Sequence, residues 1–354
     1  MRRGLISHRK GELADAVVDA RIARVRGAMR EARCDVLVLY SNNTRPAAVS
    51  WLTGFVPYWS EALLVLLPDR PPVLVVALTY RVKSWIEATS RAAEVRHTPR
   101  VGQEAARLIA SAKADAAVAI PDLGQMPAGI VEDMCASGPR LVLTDGSEMF
   151  ARLRAKADPA EIAFAAKAAS IAQRALMTPS PEILGAGVSA TVAAIERQAR
   201  ALGAEEAYIA VAPDLARDAR LRRMEGDARF GTSFAVRASV AYRGTWIRVV
   251  RTFAEPARVE EAALALSAAA AALPSATGFA AFASWLVEGC RIAQPLESLL
   301  GSRVAAASPL TPGALVSVQA TLYIGGAPVL IGAPALLGSP REAASLLLHP
   351  VFEA

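Results

Sequence analysis

Arg237-Ala-Ser-Val-Ala-Tyr-Arg-Gly-Thr-Trp-Ile-Arg-Val-Val-Arg-Thr-Phe253 reads as two strands joined at Arg243-Gly244. A glycine at the tip supplies the backbone freedom that a two-residue hairpin turn demands. With that turn, Ser239 faces Arg248 and Arg237 faces Val250. Side chains alternate along a strand, so Arg237, Ser239, Ala241, Trp246, Arg248 and Val250 share one face. The two arginines become diagonal neighbours about 7–8 Å apart. Two guanidiniums at that separation repel unless water, a carboxylate or an anion lies between them. Two readings stay open at this point. The pair is neutralised by solvent or by the chain's own carboxylates, with Trp246 as core, or it binds a carboxylate or phosphate, with Trp246 as a wall.

Outward from the hairpin, the chain divides in two. Leu13, Val17, Ile22, Val25 and Met29 recur at helical spacing and predict a helix over 11–33. Short apolar runs at 35–40, 62–67 and 73–77 predict strands, the last two joined by Pro68-Asp-Arg-Pro-Pro72. Helical stretches at 80–90 and 102–112 then alternate with apolar runs at 117–120 and 141–144, which indicates an α/β domain. Asp158-Pro159-Ala160-Glu161 is a helix start, with an N-cap, a proline in the first turn and a glutamate three residues on. We therefore expect an N-terminal domain over 1–156 and an α+β domain over 157–354. The second opens with helices from 159 to about 177 and over 188–202, stopped by Gly203.

Composition sets the class. The 354 residues are 53% hydrophobic and 20% charged, ample for two cores. A formal charge of +6 permits anionic partners without requiring them, and a nucleic-acid role is not expected. The basic run Arg217–Arg229 contains Asp218, Glu225 and Asp227 and reads as a solvated loop. Three scattered cysteines suit a reducing cytoplasm, and no export signal follows Met1-Arg2-Arg3. Residues 262–287 carry no charge, but Pro274, Ser275, Thr277 and Gly278 interrupt them. Two buried or half-buried helices are expected there, not a membrane span.

Several stretches together resemble the creatinase/aminopeptidase P (Xaa-Pro peptidase) superfamily. Residues 21–67, with Asn43 and Trp51-Leu-Thr-Gly-Phe55, are similar to its N-terminal domain. Leu153-Arg-Ala-Lys156 with Glu161-Ile162 and Ala168-Ala169 resembles its interdomain junction, and Gly187-Val-Ser-Ala-Thr191 through Gly203 its next helix. Tyr242–Trp246 with Arg251-Thr-Phe253 resembles the central hairpin of the pita-bread fold, and Pro312-Gly313 with Tyr323 a late strand. The resemblance implies an α/β N-terminal domain followed by an α+β pita-bread domain, and a homodimer.

Metal-dependent members of that superfamily hold two ions with two aspartates, a histidine and two glutamates. By the resemblance, the aspartate positions, eleven residues apart, carry Arg237 and Arg248. The histidine falls at about Cys290, the first glutamate on Gln319 and the second near Gly332. No histidine occurs between His97 and His349, and no charged residue between Val304 and Pro340. Arginine cannot ligate a metal and adds positive charge where an ion would sit. No metal and no cofactor is therefore expected. The leading expectation is a metal-independent, non-peptidase protein that binds a small anionic or amino-acid-like molecule in the former active-site cleft. Arg237, Arg248, Trp246, Tyr242, Gln319 and Cys290 are its candidate ligand-binding residues. Any retained chemistry would act on a C–N or amide bond, and catalytic residues are not assigned. Proton carriers left in this domain include Asp214, Glu288, Glu297, Tyr242, Tyr323 and Cys290. The alternative is a pseudoenzyme that serves as a binding or scaffold protein.

Overall fold

A computed structural model describes residues 12–42, 47–57, 59–91, 94–137, 140–224, 226, 228–273, 276–290, 311–338 and 343–347. Asn43, Glu225, Asp227, Pro274, Ser275 and Glu297 from the reading above lie outside the described residues. The chain forms two compact units, Met1–Ala155 and Lys156–Ala354.

In the first unit, α1 (Asp15–Glu31) leads to β1 (Val36–Ser41), α2 (Ala47–Thr53), β2 (Ala62–Leu66) and β3 (Val73–Val76). Then α3 (Lys83–Thr89), β4 (Glu94–His97), α4 (Val101–Ala112), β5 (Ala116–Ile120), α5 (Ala128–Ser137), β6 (Leu141–Asp145) and α6 (Ser147–Ala155) alternate. The six strands form one sheet in the order β4-β3-β2-β1-β5-β6. Only β2 runs against its neighbours, because the proline-rich turn at 68–72 sends β3 straight back. The central strands β1, β2 and β3 are almost wholly apolar because both faces are covered, whereas β4 at the edge is Glu-Val-Arg-His and half-exposed. Leu37, Leu39, Leu64 and Leu74 pack on one side with Val25, Met29 and Trp51. Val36, Val38, Val65 and Val75 pack on the other with Ala105, Leu108 and Ile109.

The second unit begins at a capping box. Asp158 Oδ1 accepts from the Glu161 amide at 3.0 Å, and Glu161 Oε2 accepts from the Asp158 amide at 3.1 Å. Such a cap is worth about 1 kcal/mol and fixes where α7 (Pro159–Leu176) starts. α8 (Pro181–Gly185), α9 (Val188–Ala201), β7 (Glu206–Ala212), β8 (Phe234–Tyr242) and β9 (Thr245–Phe253) follow. Next come α10 (Pro256–Ala271), β10 (Ser284–Gly289), β11 (Leu315–Ile324), β12 (Ala327–Leu336) and β13 (Ser345–Leu346). The sheet order is β10-β11-β12-β9-β8-β7, with β13 beside β12. The β12–β9 seam is paired at Gly332↔Val250 alone, and Thr252 clamps it. The Thr252 hydroxyl donates to Leu330 O at 2.6 Å and accepts from Leu330 N at 2.9 Å.

Two helix layers cover the back of this sheet. Ala165, Ala168, Ala172 and Ala175 of α7 lie against Ala238, Val240, Ile247 and Val249, alanine allowing a close approach. Ala262, Leu266 and Ala269 of α10 lie against Val318, Ala320, Val329 and Ile331. The front face carries the polar residues discussed below. The uncharged stretch 262–287 corrects the expectation of two helices. Its first part is the end of α10, but its last residues form β10, where Trp285, Leu286 and Val287 pair with Ala320, Gln319 and Val318. A short apolar run is ambiguous between the two structures until a partner strand decides it. Among the described residues, no helix is long and apolar enough to cross a membrane.

Candidate functional site

The hairpin turns at Arg243 (φ 49°) and Gly244 (φ 73°), both left-handed, as a two-residue turn of primed type requires. The register is Ser239↔Arg248 and Arg237↔Val250, which places both arginines on the front face. That face is closed: Arg237 is 7% exposed, Arg248 4% and Gln319 9%. Buried guanidiniums require partners, and the neighbouring strands supply them.

β10 pairs with β11 so that Glu288 lies opposite Ser317, one step from Gln319. Arg248 Nη1 and Glu288 Oε2 form an ion pair at 2.6 Å. Gln319 Nε2 donates to the same Glu288 Oε2 at 3.2 Å, and Gln319 Oε1 accepts from Arg237 Nη1 at 3.4 Å. One continuous path, Arg237–Gln319–Glu288–Arg248, thus spans four strands. A carboxylate and an amide of the chain itself thus lie between the arginines. The Arg248 amide also donates to Ser317 Oγ at 3.0 Å, drawing β9 beside β11.

The remaining candidates fall in different places. Trp246 is on the front face, 6% exposed, with its ring centroid 5.9 Å from that of Tyr208. Its amide donates to Cys290 O at 2.8 Å, so the indole is held by backbone pairing. Cys290 is 1% exposed, with Sγ 3.7 Å from Ser317 Oγ. It packs with the hydrophobic core and presents no surface to an incoming electrophile. Tyr242 requires correction. It falls on the α7-covered side by strand alternation, edge-to-face with Phe164 at 6.1 Å and under the Arg243 guanidinium at 5.7 Å. It does not join the arginine face.

Glu288 is the member that the sequence reading did not place here. A signal for it exists, since Glu288 is the sole acidic residue between Glu261 and Glu297 and two buried arginines call for one. Proximity of residues 40 positions apart, however, is set by the pairing of β10 with β11 and the contact of β11 with β9.

A dinuclear metal centre does not fit this arrangement. Among the described residues, no group of three or more His, Cys, Asp or Glu could hold an ion. Glu288 is already engaged by two donors. Position 332 also lacks room for a ligand. A Cβ there would stand 2.8 Å from Val318 O, 3.1 Å from Gln319 Cγ and 3.1 Å from Val250 Cγ2.

Residues 21–156 match the Creatinase/Prolidase N-terminal domain family. No curated protein matches the chain by sequence. Among solved structures it is similar to an Xaa-Pro dipeptidase from Bacillus anthracis, with TM-score 0.68 and 16% identity over 95% of this chain and 99% of that one. A prolidase from Pyrococcus horikoshii OT3 gives TM-score 0.68 and 17% identity over 93% and 97%. The N-terminal domain of FACT complex subunit SPT16 from Cicer arietinum (chickpea) gives 0.61 and 12% over 93% and 96%. Residues 21–156 thus match the creatinase/prolidase N-terminal domain family, and the chain as a whole has a fold similar to those of the dipeptidase and the prolidase.

Proposed function

We propose that this chain is a metal-independent, non-peptidase form of the fold, in which the position of the metal centre is held shut by its own side chains and the protein acts by binding. One observation carries this reading: Glu288 Oε2 takes donors from both Arg248 and Gln319, and Gln319 in turn takes Arg237. A water-activating metal needs several anionic or imidazole ligands around an open coordination position. Here two guanidiniums, an amide and the committed Glu288 carboxylate occupy the centre of the front face, and Glu206 is buried on the same face opposite Ala241. The fold itself permits either outcome, since similar structures include both a dipeptidase and a subunit of a complex. We infer a homodimer as well, from the resemblance to this superfamily.

A second reading has its own support. The four side chains carry two positive charges and one negative in a low-dielectric setting, a sign that favours a small carboxylate or phosphate at Arg237. One experiment separates the readings. Purified protein is assayed for metal content, for hydrolysis of an Xaa-Pro dipeptide, and for thermal stabilisation by manganese, cobalt, acetate and phosphate. Metal-free, inactive protein that none of these stabilises supports the closed-network reading. Stabilisation by acetate or phosphate that Arg237→Gln abolishes selects the anion site. Stoichiometric metal with dipeptide turnover overturns both. Sedimentation as a monomer at micromolar concentration would remove the homodimer.

A further inference from the structure

The sheet of the first unit ends at two edges, and they differ in kind. At one, β4 is Glu94-Val-Arg-His97, and Arg96 is held at 2.6 Å by both Glu94 and Glu104. Charges on an edge strand deter pairing with another chain. At the other, β6 is Leu141-Val-Leu-Thr-Asp145, with no charge before its last residue. Gly146 N donates to Ile120 O at 3.0 Å, and the register sets Asp145 opposite Ile120. By alternation, the backbone groups of Val142 and Thr144 also point to β5, while those of Leu141 and Leu143 point out of the sheet. Among the described residues, no strand pairs with that outer side. Val142, apolar and β-branched, is 56% exposed there.

Open N–H and C=O groups call for an extended backbone, and β6 is complementary to its own reversed copy. Antiparallel pairing must set outward-facing residues opposite one another. With Val142 opposite Val142 of a second copy, Leu141 lies opposite Leu143, and Arg140 lies opposite Thr144 and next to Asp145. Apolar groups then meet apolar groups, and the positive end of each strand lies beside the negative end of the other. Arg140 is exposed and enters no ion pair among the described residues, and Asp145 is exposed as well. Parallel pairing would set arginine beside arginine. We propose that β6 of two copies pairs antiparallel across a two-fold axis at Val142, joining their six-stranded sheets into one continuous sheet. Each Leu141–Leu143 pair exchanges both backbone hydrogen bonds. This rests on the homodimer inferred above and names the surface that forms it.

A contact of one strand on one strand is smaller than a standard interface, so the dimer should be reversible and concentration-dependent. Sedimentation of the full chain from about 1 to 100 µM reads it. Val142→Lys sets two ammonium groups opposite each other at the axis and should weaken association by about tenfold. Val142 is exposed, so this variant keeps its fold, which circular dichroism checks. Cysteine cross-linking reads the register, in a Cys135→Ser background that removes the exposed thiol. Val142→Cys should give a disulfide-linked dimer on mild oxidation, since directly opposite residues bring their Cβ atoms to about 4.5–5.5 Å. Thr144→Cys should not, because its two copies stand roughly 13 Å apart along the strands. A wild type that stays monomeric at about 100 µM would overturn both this surface and the homodimer. A dimer that survives Val142→Lys, with no cross-link in the Val142→Cys variant, would leave the homodimer standing and overturn this surface.

Discussion

Glu288→Gln removes one charge from the centre of the network while keeping the side chain's shape. In the wild type, Arg248 is 4% exposed and its Nη1 is 2.6 Å from Glu288 Oε2. The variant leaves that guanidinium buried without its carboxylate and replaces an acceptor of two hydrogen bonds with a weaker one. Removing one partner of a buried ion pair costs about 3–5 kcal/mol. In a unit the size of Lys156–Ala354, each kcal/mol lowers the melting temperature by about 2–4 °C, so the transition should fall by about 6–20 °C. Urea unfolding followed by tryptophan fluorescence reads the loss, with Trp246 on the same face as a reporter. A cycle of Arg248→Met, Glu288→Leu and the double variant Arg248→Met/Glu288→Leu isolates the pair. The double variant should lose much less than the sum of the singles, because an apolar pair replaces an ionic one without stranding a charge. A loss below about 1 kcal/mol for Glu288→Gln, as for an exposed ion pair, would refute the reasoning.

Gly332→Glu should destabilise the second unit by at least about 1–3 kcal/mol and confer no manganese binding, because the new Cβ meets Val318 O at 2.8 Å. Metal-dependent stabilisation of that variant would contradict the packing argument. Asp218 is held down to about 2 from an ordinary 3.8, first by its hydrogen bond from the Arg220 guanidinium. Its stabilising contribution is therefore complete above the ordinary value and is lost as pH falls from 3.8 through about 2. Carboxyl carbon NMR should find that titration, and a midpoint near 3.8 would break the Asp218–Arg220–Arg222 cluster assignment. Cys135 is exposed, Cys34 half-buried with its thiol pushed up by burial, and Cys290 buried. A thiol reagent on native protein should modify Cys135 first and Cys290 only on unfolding. Rapid native labelling of Cys290 would show that it is open to solution.

The parts of the fold legible in the sequence are those written locally. Asp158-Pro159-Ala160-Glu161 spells a capping box, and the box forms. Arg243-Gly244 spells a primed turn, and that turn alone sets which residues of the hairpin face the front. The site was legible only to the extent that it depends on this hairpin. Glu288 reaches Arg248 through the pairing of β10 with β11 and the Arg248–Ser317 hydrogen bond between β9 and β11, and no local pattern encodes such a path. The strand at 284–289 was hidden for the same reason. Alanine-rich flanks favour helix, and only pairing with β11 outweighs them. Tyr242 falls on the opposite face by the same alternation that brings Arg237 and Arg248 to the front, so its candidacy ran against the register that the turn already set.

The four side chains of the network are energetically interdependent, which bears on how such a site can change. Arg237 and Arg248 on one face, without Glu288 and Gln319, would place two like charges side by side in a poorly solvated setting. Glu288 alone, without Arg248, would be a largely buried carboxylate lacking its cation. Each group is tolerable because the others are present, so substitutions toward a metal-binding set meet a penalty at every single step. Arg248→Asp would set a new carboxylate beside Glu288, and Gln319→Glu would add another, before enough ligands existed to hold a cation. Gly332 adds a barrier of shape, since a ligand there requires β9, β11 and β12 to separate. Among the described residues, charge pairing and packing of the front face thus act together against a metal-binding set.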